Sequence, residues 1–69
     1  MNEDENMNDF EIVKNAINTF DEIQEYMLLA RTENAVNTYN RLKIKYNSLK
    51  TLLTTLGVNL TIIDRIDEY

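Results

Sequence analysis

Between Ala35 and Leu56 the apolar residues Ala35, Tyr39, Leu42, Tyr46, Leu49, Leu53 and Leu56 recur at spacings of four and three, and this frame runs into the only glycine of the chain, Gly57. Such spacing is the seam of a helix packed along another helix. Gly57 stands where a left-handed C-terminal cap needs a residue without a Cβ, and Val58 is placed to contact Leu53 as a Schellman motif prefers. The second helix is therefore expected over about 33–56. With no proline and one glycine in 69 residues, little else interrupts a helix, and the fold class expected is all-α.

The first helix is expected over about 9–31. Asn8 can cap its first amides, Glu11 can reach back to the Asn8 amide, and Met7 can staple onto Ile12. Residues 1–7 carry Glu3, Asp4 and Glu5 with no aliphatic residue between the methionines, so they are read as a disordered acidic tail ahead of one helical domain over 8–69. Ile12, Val13, Ala16, Ile17, Phe20, Ile23, Met27 and Ala30 form one stripe, edged by Phe10 and Leu28. Its width of roughly 160° is more than one neighbouring helix covers. Between Leu29 and Asn34 the two apolar frames change phase. Either a turn with Thr32 as N-cap of the second helix or a stutter in one long bent helix produces that change, and the burial available to a short chain favours the hairpin. Thr61 with Asp64 makes a weaker capping pair, so a short third helix is expected over about 62–68, with Ile63 and Ile66 folding back.

A chain of this length buries only about 60% of the surface its unfolded form exposes, so an isolated core is marginal. Cysteine and histidine are absent, which removes disulfides, zinc sites of the Cys/His type and the usual nucleophile pairs, while one glycine cannot build a phosphate-cradling loop. Composition thus argues against an enzyme and against a cofactor. Carboxylate pairs such as Glu22 with Glu25 or Asp64 with Asp67 lack the loop that gathers six or more oxygens around a cation, so no metal is expected. No run of about 18 apolar residues is present and the amino terminus is acidic, so neither a membrane nor a secretory route is expected, and the cytoplasm is the expected location.

The net charge of −5 is unevenly laid out. Residues 1–33 hold nine acids against Lys14 and Arg31, whereas residues 34–56 hold Arg41, Lys43, Lys45 and Lys50 and no acid. The bases border the second helix's seam and can pair with Asp21, Glu22 or Glu25 across a hairpin or a dimer. They also allow an alternative in which the second helix binds nucleic acid, with Tyr39 and Tyr46 stacking on bases. Because both tyrosines occupy seam positions, core packing is the preferred reading. The acidic amino-terminal part could in turn imitate a phosphate backbone, though a solvated helix face explains it more simply. Tyr26 and Leu29 in the first helix, and Val36, Ile44 and Leu52 in the second, lie off their own stripes and point to burial against another subunit or partner.

The stretch from Tyr46 to Asp64, YNSLKTLLTTLGVNLTIID, resembles the carboxy-terminal part of small helical accessory proteins carried by phages and prophages of low-GC Gram-positive bacteria. That resemblance implies a class of protein that acts by binding a host or element protein, and it assigns no functional residue. The expectation is a helical hairpin that dimerises into a four-helix bundle and serves as a non-enzymatic protein–protein interaction module. Phe10, Ile17, Phe20, Leu42, Leu49 and Leu53 are expected in core layers shared between subunits, and Tyr26, Leu29, Ile44 and Leu52 on contact faces. A third reading, a structural coiled-coil subunit of a larger assembly, goes with the single long helix.

Overall fold

The structure, a computed structural model, describes the backbone of residues 2–66 and the side chains of residues 10–66. It is an antiparallel helical hairpin. Helix α1 spans Asn2–Thr32, α2 spans Val36–Thr55, and a single 3-10 turn, Leu60–Ile62, begins a carboxy-terminal segment that lies back on the hairpin. The long dimension of 48 Å is that of α1 alone, since 31 residues at about 1.5 Å each give that order of length. The 20 residues of α2 reach about two thirds as far, so the first turns of α1 project beyond it.

Both helices end in the same motif. After α2, the Val58 amide donates to the Leu53 carbonyl (2.9 Å) and the Gly57 amide to that of Thr54 (3.0 Å), with Gly57 at φ 86°: the Schellman cap expected there. After α1, the Ala35 amide donates to Ala30 (2.8 Å) and the Asn34 amide to Arg31 (3.2 Å), with Asn34 at φ 59°. Asparagine thus fills the left-handed position that a glycine more often takes, which makes the hairpin possible without a glycine in the turn. The turn corrects one expected boundary. Thr32 belongs to α1 and donates its hydroxyl to the Leu28 carbonyl, and α2 starts at Val36 behind Ala35, which offers no side-chain cap.

Two further boundaries differ. α1 begins at Asn2, so residues 2–7, expected as a disordered tail, form its first turns, and Asn8 starts no helix. The cap and staple expected from Asn8 and Met7 involve side chains outside the described residues. The helix expected over 62–68 is not formed across 62–66. Asn59 instead caps the 3-10 turn by accepting from the Thr61 amide at 3.0 Å, and Asp64 is engaged by α2. Residues 67–69 lie outside the described part.

The core is made within one chain. Ala16, Phe20, Ile23 and Met27 of α1 pack on Tyr46 and Leu53 of α2, with Phe20 and Tyr46 stacked at 5.4 Å between ring centroids, and Ile66 closes the cluster from the carboxy-terminal segment. Each large side chain so buried stabilises by about 1.5–3 kcal/mol. The broad stripe of α1 is therefore covered by two elements, α2 on one side and residues 60–66 on the other. Phe20 and Leu53, expected in layers shared between subunits, are fully buried in this intramolecular core.

A Cβ at Gly57 would meet open space, so Gly57→Ala carries only the cost of the left-handed backbone, about 1–2 kcal/mol. Asn34→Gly should be neutral or stabilising for the same reason. Denaturant unfolding of both variants with an unchanged slope checks this, and a Gly57→Ala chain as stable as the parent would contradict the capping role.

Candidate interaction surface

Residues 63–66 are held by polar groups of both helices. Gln24 of α1 is completely buried. Its amide Nε2 donates to the Ile63 carbonyl at 2.9 Å, and its Oε1 accepts from the backbone amides of Arg65 and of Ile66, the latter at 3.1 Å. One side chain thereby satisfies backbone groups that a helix over 62–68 would have paired internally, which is why that helix is not needed. From α2, the Tyr46 hydroxyl donates to the Asp64 carboxylate (2.8 Å), and the Lys50 ammonium lies 3.2 Å from the same carboxylate and 5.0 Å from the Tyr46 ring centroid. Arg65 reaches the Asp21 carboxylate at 2.7 Å and its carbonyl at 3.0 Å on the exposed edge, where such a pair adds at most about 1 kcal/mol. Asp21 and Lys50 were expected to pair between the helices. Both instead engage the carboxy-terminal segment, because each lies on the flank where that segment runs.

This clasp seals one flank of the hairpin only. At about 100° per residue, Ile17, Asp21, Gln24 and Leu28 of α1 lie on the clasped side of the buried stripe, and Ile12, Thr19, Glu22 and Tyr26 on the other, with Leu29 at its outer edge. On α2, Tyr39 and Lys50 face the clasped side, while Thr38, Leu42, Lys45, Leu49, Leu52 and Leu56 face the open one. A shallow depression lined by Tyr26, Leu29, Glu33, Thr38 and Leu42 marks that open side near the turn.

The residues expected to make contacts sort accordingly. Tyr26 (56% exposed), Leu29 (53%) and Leu52 (41%) are exposed along the open flank, and Leu42 and Leu49 are half-buried beneath them. Ile44 (68%) stands alone on the outer surface of α2, and Phe10 (70%) lies on the part of α1 that projects past α2. Ile17 is half-buried against the core at the clasped side. Ile12 and Leu56, which were read only as stripe and seam members, also prove exposed at the far end of the open flank. Their exposure follows from α2 ending before α1 does, which neither stripe shows by itself.

Among the described residues no group of three or more His, Cys, Asp or Glu could hold a metal ion, and no helix is long and apolar enough to cross a membrane. Tyr39 accepts a hydrogen bond from the Arg31 guanidinium at 2.9 Å, with the cation 5.4 Å from the ring centroid, and Tyr46 is buried.

Replacing Gln24 with leucine leaves the Arg65 amide and the Ile63 carbonyl without partners and the Ile66 amide with Asp64 Oδ1 alone (3.2 Å), which should cost about 1–3 kcal/mol and speed hydrogen exchange at Arg65 above that in the α2 core. Unchanged protection at Arg65 would sink the clasp. Burial by itself lowers the Lys50 pKa, but the hydrogen bonds with Asp64 and Tyr46 and the charge of Asp64 outweigh it and raise the ammonium above its ordinary 10.5. A raised pKa in the folded state gives stability that is fully present below pH 10.5 and lost as the pH climbs through the folded value. The stability difference between the parent and Lys50→Met should therefore be flat below that pH and shrink above it; a difference that grows with alkalinity would contradict the assignment.

Compared with known proteins, the sequence matches no family model, no curated protein and no solved structure.

Proposed function

We propose that this chain is a non-enzymatic protein–protein interaction module that associates through the open flank of its hairpin. The carrying observation is a run of exposed apolar residues: Ile12, Tyr26, Leu29, Leu52 and Leu56, five of the nine large apolar side chains exposed among the described residues, fall along the side of the two-helix unit that its carboxy-terminal segment does not cover. Scattered apolar residues are ordinary on a protein surface, whereas a run along one side of a hairpin is what a helical partner covers. The resemblance of residues 46–64 to accessory proteins of mobile elements supports a regulatory or inhibitory role in the cytoplasm, exercised by binding. The nucleic-acid reading loses its stacking platform with Tyr46 buried, and Lys50 is committed to Asp64. The coiled-coil subunit drew its force from a single long helix, and the chain is a hairpin instead.

Affinity purification of a tagged chain from cells of its source, alongside Leu52→Asp and the exposed-face control Asn40→Asp, tests the reading. The parent and Asn40→Asp should retain one protein in fixed stoichiometry, either another copy or a different chain, and Leu52→Asp should lose it. Retention of nothing, or retention indifferent to Leu52→Asp, would overturn the proposal.

A further inference from the structure

We infer that the occupant of the open flank is a second copy of this chain, packed with its helices parallel to the first hairpin's so that α1 of each copy lies against α2 of the other and both turns sit at the same end. The inference rests on the interaction reading above and names its partner. Two observations carry it, one of area and one of charge.

The accessible surface of the chain is 5313 Å². A compact monomer of 8.1 kDa exposes about 4,500 Å², so the excess is roughly 800 Å². That is about what one partner contributes to a standard specific interface. The elongated shape of the chain contributes to that surplus along with the open flank, where Ile12, Tyr26, Leu29, Leu52 and Leu56 are exposed, while Phe10, Val36, Ile44 and Ile62 are exposed off it.

Charge then selects both the partner and the orientation. Along the open flank the charged residues are the acids Glu22 of α1 and Glu33 of the turn that follows it, and the bases Arg41 and Lys45 of α2; all four are exposed. Among the described residues none of the four makes an ion pair within the chain. The surface is thus negative along one helix and positive along the other, with Tyr26, Leu42, Leu49 and Leu52 between them. Two copies related by a twofold axis can meet on this flank in two ways. An axis across the helices lays α1 on α1 and α2 on α2, acid on acid and base on base. An axis along the helices lays each α1 on the other copy's α2, acid on base, and like-charge repulsion excludes the first arrangement in favour of the second.

The levels agree. Phe20 stacks on Tyr46 and Arg31 meets Tyr39, so along the hairpin Lys45 stands level with residues 21–25 of α1, within one helical turn of Glu22. An axis parallel to the helices preserves levels between copies, which sets Glu22 of one copy beside Lys45 of the other. Phe10 and Ile44 remain outside this contact, on the clasped flank and the outer surface of α2.

Sedimentation of the purified chain at micromolar concentration, with circular dichroism as the check on folding, tests the occupant. The parent should be a dimer. Arg41→Glu with Lys45→Glu, both at exposed positions, should keep the helical signal and weaken association about tenfold, and adding Glu22→Lys with Glu33→Lys should restore it. The chain has no cysteine of its own, so orientation can be read by crosslinking with a short bis-maleimide. A mixture of Glu22→Cys and Lys45→Cys chains should give more crosslinked dimer than either variant alone. Strongest crosslinking in Glu22→Cys alone would overturn the orientation. A folded monomer would overturn the second copy as occupant, and the interaction reading would still stand if a different protein co-purified and was lost in Leu52→Asp. A monomer that retains nothing would remove both.

Discussion

The buried Gln24 side chain is the constraint on which the rest of this structure depends. A carboxamide offers a donor and an acceptor in one rigid group, and here both are spent on the backbone of residues 63–66. An uncharged group can do this at full burial without the desolvation cost of a carboxylate. Because the backbone of that short segment is satisfied from outside, it needs no helix of its own, and its Ile66 can enter the core. No buried side-chain polar atom among the described residues is left without a partner. The polar contacts around Asp64 and Arg65 add direction to a docking whose energy comes from Ile66 and Ile63 leaving water.

Covering one flank leaves the other open. The carboxy-terminal segment covers the Ile17, Gln24 and Leu28 side of the stripe, so the flank of Ile12, Tyr26, Leu29, Leu52 and Leu56 is left uncovered, while Phe10, Val36, Ile44 and Ile62 are exposed elsewhere on the hairpin. A third helix long enough to cross the hairpin would have produced a closed three-helix unit. The described residues after α2 form a short clasp instead, which leaves the other flank open.

Much of the fold was legible in the residues. The heptad frame from Ala35 to Leu56 marked α2, Gly57 and Val58 marked its end, and the fold-back of Ile63 and Ile66 was apparent from their placement after the cap. The turn was legible as a change of phase but not in its chemistry, because Asn34 takes a backbone conformation that asparagine adopts only in some contexts, and Thr32 offers a competing cap that the structure spends on Leu28. The candidate surface was half legible: off-stripe Tyr26, Leu29 and Leu52 were visible as anomalies. Phe20 was misassigned to a shared layer because a wheel shows that a face is apolar and not which element covers it.

What the sequence determined by itself is therefore local: helix periods, the cap at Gly57, the absence of thiol and imidazole chemistry, and the separation of acid into α1 and base into α2. Only the tertiary structure decided which flank is closed. That choice turns on Gln24 meeting Ile63 across 39 residues of chain and Lys50 meeting Asp64 across about 14. Local propensity carries no information about such a meeting, since it depends on where two helices bring distant side chains to one place and on the unfavourable alternative of leaving a buried amide unpaired.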